Sequence, residues 1–508
     1  MTLITFSGEP LALADVRVAL RGPVQVAITE TARKKMTAAR LVVERRLQRP
    51  EPVYGINTGF GIFARTKISP DNLVELQRNI VLSHAVGVGE LLPDPIVRLM
   101  LVLKLQTLTL GYSGVRPELA NALAAWLAAD VLPCVPCQGS VGASGDLAPL
   151  AHCALALLGQ GMVRHDEKIF SAADAIKQFR LPVVQLAAKE GLGLLNGTQA
   201  MLAVAIATVE LAEKILAHAD IASALTIEGL SGSAVPFDAR LHAVRPHPGA
   251  VATAQTLRTL LAESEINASH ASCQRVQDPY ALRCVPSVHG AAREALQSVT
   301  NTITCELNSV TDNPIVFADD DAILSGGNFH GAPLALAMDY LTIALTTVAS
   351  ISERRIEQLI NPKAGELPVM GLTDNPGLHS GMMVAHTTAA SLVSENKTLA
   401  HPACVDTIPT WAGQEDHVSM GMWAARKAWQ AAQNVLQVVA IELLCAAQAL
   451  DLHPTKLRAG RGAQAAYDYI RTHVAPLAGD RYLAPDIAHM AQLIREGAIQ
   501  QVVADHIA

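Results

Sequence analysis

The sequence predicts a mainly α protein: a bundle core of long helices, a loop-rich N-terminal part and a few short β-hairpins. Three observations predict it. Half of the 508 residues are hydrophobic but only 4% are aromatic, and Ala, Leu and Val dominate, a composition that favours helices. Apolar residues recur at helical spacing over long stretches. Strand signals, in contrast, are few and short.

Between Asp71 and Ser83 the residues Leu73, Leu76 and Ile80 share one helical face, and similar patterns predict helices near 97–110, 118–130, 147–158 and 198–216. Gly- and Pro-rich breaks at 52–61, 131–145 and 191–197 lie between them and carry most of the unusual polar residues. Residues 162–170 read as a hairpin over His165-Asp166-Glu167, while Ile315 to Phe317 and Ile323 to Leu324 flank the acidic turn Asp319-Asp320-Asp321. The Ala/Leu-rich stretches 333–360, 382–400 and 421–450 read as the long helices of the bundle. We expect two parts, 1–200 with the loops and 201–508 with the bundle, and find no internal repeat.

Only 17% of the residues are charged, which implies more apolar surface than one copy leaves in water and predicts a homo-oligomer. The net charge of -7 gives no footprint for nucleic acid, and the short basic run Arg33-Lys34-Lys35 reads as a solvated helix face. The N-terminus MTLITFSGEPLALADVRVAL lacks the basic start and apolar block of a secretion signal. The most apolar later stretches, 331–350 and 430–450, are interrupted by Asp339 and by Asn434 and Glu442, so no membrane span is expected. Eight cysteines in so long a chain make no disulfide framework, and a cytoplasmic location follows as the expectation. Cys134-Val135-Pro136-Cys137 lacks the second ligand pair of a zinc site. Gly59-Phe60-Gly61 with Ala64 stands outside any βαβ pattern, there is no GxxxxGK[ST] or HExxH, and glycine directly follows Ser113, Ser144 and Ser231, which excludes a GxSxG elbow.

The run Gly139-Ser140-Val141-Gly142-Ala143-Ser144-Gly145-Asp146 holds the makings of an electrophile. If the Gly145 amide nitrogen attacks the Ala143 carbonyl and two waters leave, Ser144 becomes a dehydroalanine inside a five-membered methylidene-imidazolone ring. Glycine presents no Cβ to obstruct the attack and tolerates the compressed backbone. Serine supplies the hydroxyl that is lost, and alanine adds little bulk beside the carbonyl. Taken alone, the run reads as a turn before a helix with Asp146 as its cap.

The surrounding loops decide between these. They are Tyr54-Gly55-Ile56-Asn57-Thr58-Gly59-Phe60-Gly61, Asn196-Gly197-Thr198-Gln199, Gln277-Asp278-Pro279-Tyr280-Ala281-Leu282-Arg283, Gly326-Gly327-Asn328-Phe329-His330 and Gln414-Glu415-Asp416-His417. In these residues, and in GSVGASGDLAPLAH, the chain closely resembles the aromatic amino acid ammonia-lyases that carry the methylidene-imidazolone group. The resemblance runs in order from about residue 10 to about 490.

That resemblance implies a mainly α homotetramer whose active sites each draw on three subunits. The electrophile would form autocatalytically from Ala143, Ser144 and Gly145, with no metal. Tyr54 is implied as the base that takes the β-proton, and for a phenol to do so near neutral pH we expect nearby donors or cations to lower its pKa and leave it partly ionised. Arg283 is implied as the two-pronged donor for the substrate carboxylate, with Tyr280 on the same helical face. Asn196 matches the position that hydrogen-bonds the ring oxygen, and Gln277 and Phe329 line the pocket. Substrate choice falls to Ser83-His84 and Glu415: the phenylalanine and tyrosine lyases usually carry Phe-Leu or His-Leu and a residue other than glutamate there. An imidazole and a carboxylate suit a polar side chain and reject a phenyl ring, so the expected reaction is conversion of L-histidine to trans-urocanate and ammonia.

Several positions depart from the family pattern. Arg283-Cys284-Val285-Pro286-Ser287 replaces Arg-x-x-Pro-Gln, and His289 stands where Met or Leu is common. The segment Leu367-Pro368-Val369-Met370-Gly371 lacks the usual Phe-Leu, His379 replaces Asn, and Trp411 is bulkier than the usual Ser. These leave two alternatives: a lyase or 2,3-aminomutase acting on tyrosine or phenylalanine, and a ring-less structural homologue. The Gly-Ser-Ser-x-Met-Pro loop of the fumarase and aspartase lyases is absent.

Overall fold

The structure, a computed structural model, describes residues 2–271, 275–362 and 369–507. Twenty α-helices dominate the described residues, and the strands are short. The mainly α expectation holds. The helical patterns read from the sequence appear as Leu73–His84, Asp94–Thr109, Pro117–Ala128, Leu147–Leu157 and Gln199–Gly229. The three bundle helices are Ala332–Ile360, Met383–Leu399 and Gly421–Asp451.

Both expected hairpins form, Met162–His165 with Lys168–Ser171 and Ile315–Phe317 with Ala322–Leu324. Three pairings went unread: a parallel one between Thr2–Phe6 and Val24–Ile28, an antiparallel one between Val88–Leu91 and Pro136–Gln138, and an antiparallel one that adds Leu132–Pro133 to the hairpin strand Met162–His165. The expected break at 191–197 also needs correction, because Glu190–Leu195 is a short buried helix. Its glycines serve packing: a Cβ on Gly191 would stand 2.5 Å from the Gln77 carbonyl oxygen.

The chain forms two compact units. The first comprises Met1–Ala207, Thr300–Met338 and Pro402–Arg426. Within it Asp94–Thr109 is buried from Ile96 to its end, the mark of a helix surrounded by protein on every face. The second comprises Thr208–Val299, Asp339–His401 and Lys427–Ala508. Its helices carry a buried carboxylate, Glu442, which accepts from the Thr226 hydroxyl at 2.9 Å, the Ser352 hydroxyl at 2.5 Å and the Arg355 guanidinium at 2.5 and 2.8 Å. Two helices, Ala332–Ile360 and Gly421–Asp451, are long and apolar enough to cross a membrane, but 67% and 83% of their most apolar windows are buried within the protein, as in core helices.

Candidate active site

The Ala143-Ser144-Gly145 segment enters the helix Leu147–Leu157 through a loop held at several points. Gly142 and Gly145 adopt φ of +69° and +73°, the left-handed region that favours glycine. A Cβ on Gly145 would stand 2.1 Å from the Gly197 carbonyl oxygen, so only glycine fits the cradle. That same oxygen accepts from the Asp146 amide at 2.8 Å, and the Gly197 amide faces the Ser144 carbonyl oxygen at 3.5 Å. Ser419 donates to the Gly142 carbonyl at 3.1 Å, while the Met420 amide donates to the Val141 carbonyl at 2.8 Å. These contacts suit a ring closed between Ala143 and Gly145, because the loop is held from both sides and its glycine position admits no side chain.

Asp146 does occupy the N-cap position, but its carboxylate makes no cap bond. It turns instead to the Ser140 hydroxyl at 2.9 Å and the Met201 amide at 2.8 Å. Burial pushes its pKa up to about 6 against those donors.

Asn196 ends the buried helix Glu190–Leu195 and donates from its side chain to the Asn313 carbonyl at 2.8 Å. Its own carbonyl accepts from Lys104 at 2.6 Å, and Lys104 also reaches the Gly193 carbonyl at 3.2 Å. Nearby, Lys189 pairs with Asp312 at 2.7 Å with both side chains buried.

Tyr54 sits in a tight loop that Asn57 braces, its carboxamide oxygen accepting from the Val53 amide at 2.7 Å. Gly55 has φ of +72°, and a Cβ there would stand 2.5 Å from Leu192. The Tyr54 ring meets Phe60 edge-on at 6.4 Å. Burial raises the phenol above its ordinary value, a hydrogen bond with the Gly61 backbone opposes this, and the Glu415 charge adds to the rise. The expected lowering is therefore corrected: within the chain, desolvation and a neighbouring carboxylate both disfavour phenolate.

His84 closes the helix Leu73–His84, and its Nδ1 lies 2.9 Å from the Ser83 hydroxyl. Burial lowers its pKa, while the Ile80 backbone and the Glu415 charge oppose that. Glu415 accepts a short hydrogen bond from the Thr410 hydroxyl, and the two residues also pair through their backbones. Phe329 is half-buried, and next to it His330 stacks on His417 at 5.8 Å, joining the Gly326-to-His330 loop to the Glu415 segment.

Gln277, Tyr280 and Arg283 belong to the second unit. Arg283 lies over the Tyr280 ring at 5.0 Å on the single turn Tyr280–Arg283, the shared face expected from their spacing. Its Nε donates to the Asp278 carbonyl at 2.7 Å, and with Gln277 it lines a cavity of about 400 Å³. Among the departures from the family pattern, Met370 is exposed, Trp411 packs edge-on against Phe63 at 6.2 Å, and Leu367 and Pro368 lie outside the described residues.

Sequence reasoning missed Lys104, Thr410 and the buried pair Lys189–Asp312, and gave Ser419, in the run Gln414 to Met420, no role. Lys104 left one signal, a single charge inside the apolar run LMLVLKLQTLTL. Lys189 and Ser419 meet partners 123 and 277 positions away in sequence, while Thr410 lies five residues from Glu415 but gave no pattern of its own.

The helical fold and the glycine-cradled Ala-Ser-Gly loop define a class. The sequence model described as Aromatic amino acid lyase matches residues 11–472, and the chain belongs to that family. It is 50% identical over 479 residues to the histidine ammonia-lyase of Deinococcus radiodurans, covering 94% of this chain and 91% of that protein. With the histidine ammonia-lyase of Gloeobacter violaceus it shares 48% identity over 500 residues, 98% of this chain and 97% of the other. The solved histidine ammonia-lyase of Trypanosoma cruzi matches at a TM-score of 0.92 and 40% identity, covering 100% of this chain and 96% of that one.

Proposed function

We propose that this chain is a carbon–nitrogen lyase that converts L-histidine to trans-urocanate and ammonia with a methylidene-imidazolone electrophile. The observation that carries this reading is the Ala143-Ser144-Gly145 loop, compressed against Gly197 in a cradle that only glycine at 145 can enter. Once formed, the ring supplies an electrophilic methylidene carbon that makes the substrate amine a better leaving group.

The chain's own residues do the rest. Arg283 holds the carboxylate, with Tyr280 beneath its guanidinium. Glu415, braced by Thr410, accepts from the substrate imidazole, and His84, kept neutral by burial, adds a second polar contact. A phenyl side chain in the same place would strand both groups without partners. Tyr54 takes the β-proton; its raised pKa makes it a strong base when ionised and ties the rate to alkaline conditions. Asn196, its side chain held on the Asn313 carbonyl, carries the peptide whose N–H, that of Gly197, faces the oxygen of the Ser144 carbonyl, and Gln277 and Phe329 close the pocket.

In this reading residues 1–200 bring the cofactor loop and Tyr54, and residues 201–508 bring the substrate-binding and oligomerisation helices. The second unit leaves Tyr340, Ile343, Met383 and Val384 exposed, apolar surface that supports a homotetramer with shared active sites. We place the enzyme in the cytoplasm.

The test is near-ultraviolet absorbance of the purified protein given L-histidine, L-phenylalanine or L-tyrosine, beside Ser144→Ala. Urocanate from histidine alone, absent in the variant, is expected. A product from another amino acid would overturn the substrate assignment.

A further inference from the structure

We propose that Lys104 is a positioning residue for the electrophile: through the Asn196–Gly197 peptide it orients and polarises the N–H presented to the Ser144 carbonyl. This rests on the methylidene-imidazolone reading above.

The geometry runs along one peptide group. Lys104 Nζ donates to the Asn196 carbonyl oxygen at 2.6 Å. The same peptide's N–H, that of Gly197, points the other way, in a trans peptide, toward the Ser144 carbonyl oxygen at 3.5 Å. The next carbonyl, Gly197 O, accepts from the Asp146 amide at 2.8 Å. Lys104 therefore holds the outer side of a strip of backbone whose inner side faces the Ala-Ser-Gly loop. Its second bond, to the Gly193 carbonyl at 3.2 Å, ties the strip to the end of the buried helix.

The site has the form of a built device. Lys104 is 3% exposed, on a helix buried along most of its length. Burying an ammonium is costly unless it is hydrogen-bonded, and here its two bonds go to backbone carbonyls; the nearby carboxylate Asp312 is already paired with Lys189. Burial pulls the Lys104 pKa down to about 8, with Asp312 opposing the fall and Lys189 adding to it. The residue thus stays mainly cationic at neutral pH. A cation on a peptide oxygen draws electron density from that peptide and strengthens its N–H as a donor. The recipient is the Ser144 carbonyl, which in the closed ring is conjugated with the methylidene, so a stronger donor makes a stronger electrophile.

The test compares the wild type with Lys104→Met, Lys104→Gln and Lys104→Arg. Intact mass first shows whether each chain has lost two waters. The electrophile is then measured apart from turnover, as the rate at which 2-mercaptoethanol adds to the ring, seen as the mass gain of one thiol. We expect ring formation in all four proteins, with thiol addition and kcat both falling about tenfold in Lys104→Met, KM little changed, and Lys104→Arg close to wild type. Lys104→Gln keeps an N–H but no charge and should fall between; it carries the test if the Met variant does not fold. Wild-type thiol addition rates in the neutral variants would overturn the proposal. So would their failure to lose water, because Lys104 would then serve assembly of the loop. A wild-type protein that has lost no water would sink the underlying reading instead.

Discussion

Gly145 and Gly197 lie backbone to backbone, so close that a single methyl group on Gly145 would stand 2.1 Å from the Gly197 carbonyl oxygen. Gly145→Ala therefore has to move the loop as well as adopt a left-handed φ, which costs about 1–2 kcal/mol for an L-residue. The displaced loop should not cyclise. Intact mass is expected to match the unmodified sequence, with urocanate formation lost and helix content retained; a variant that still loses two waters would show that the cradle is dispensable.

The pH dependence follows from Tyr54. Its pKa lies above the ordinary 10.0, raised by burial first and by Glu415 further, so only a small fraction is phenolate at neutral pH. A base that must be ionised gives a rate that climbs with pH, about tenfold per unit well below its pKa. We expect kcat/KM to rise from neutral pH into the alkaline range, and Glu415→Gln to shift the rise toward lower pH, because removing the carboxylate removes one cause of the raised pKa. A flat profile with histidine between pH about 7 and 9 would count against Tyr54 as the base.

Much of this was legible in the sequence for a physical reason. Long helices announce themselves by periodicity, so Leu73–His84 and Gly421–Asp451 fall near their expected positions. The Ala-Ser-Gly loop was legible only through the loops around it, because the tripeptide alone reads as a turn. The strand pairs Thr2–Phe6 with Val24–Ile28 and Val88–Leu91 with Pro136–Gln138 were not legible, being short and joined by contacts distant in sequence. The direction of the Tyr54 shift was misread because loop composition says nothing about how deeply a phenol is buried or which charge faces it. Lys104 and Thr410 act through backbone carbonyls and a neighbouring carboxylate, and such partners appear only in three dimensions.

Thr410 provides a test of substrate choice that leaves the proposed base and electrophile untouched. Its hydroxyl donates to the Glu415 carboxylate, and the two residues also exchange backbone hydrogen bonds at 3.1 and 3.4 Å. Thr410→Val removes the hydroxyl at similar volume. A hydrogen bond to a charged group contributes about 1.5–3 kcal/mol, so KM for histidine should rise about tenfold or more while kcat changes little. Steady-state kinetics decide it, and an unchanged KM would separate Glu415 from substrate binding.

Stability in the second unit should depend strongly on the buried Arg355–Glu442 pair. Both side chains are fully buried and joined by two hydrogen bonds, and Glu442 also takes the Thr226 and Ser352 hydroxyls. Removing one partner of such a pair leaves an uncompensated charge and costs about 3–5 kcal/mol. Arg355→Met is expected to lower the unfolding midpoint in denaturant by a corresponding amount, more than any exposed-pair variant such as Arg240→Met. Equal effects of the two would show that the buried network contributes no more than a surface contact.

His289 should make the stability of this chain acid-sensitive. Its ring is fully buried, with Nδ1 2.7 Å from Asp220 Oδ1, and its Nε2 has no hydrogen-bond partner. The groups that face it are Asp220, itself paired with Arg293, and the Arg355 and Glu442 charges. Burial, the largest influence, lowers its pKa below the ordinary 6.5, although the Asp220 bond and charge oppose this, and Arg355 lowers it further. The sign then follows: the unfolded chain binds a proton more readily than the folded one, so the stabilisation is complete above pH 6.5 and is lost as pH falls through the folded value. Protonation in the folded state would bury an N–H at Nε2 without an acceptor. His289→Leu removes the titration and leaves Asp220 paired with Arg293. Unfolding midpoints in urea at pH about 5 and about 7.5 should differ less in the variant than in the wild type; an equal difference in both would assign the acid sensitivity to other groups.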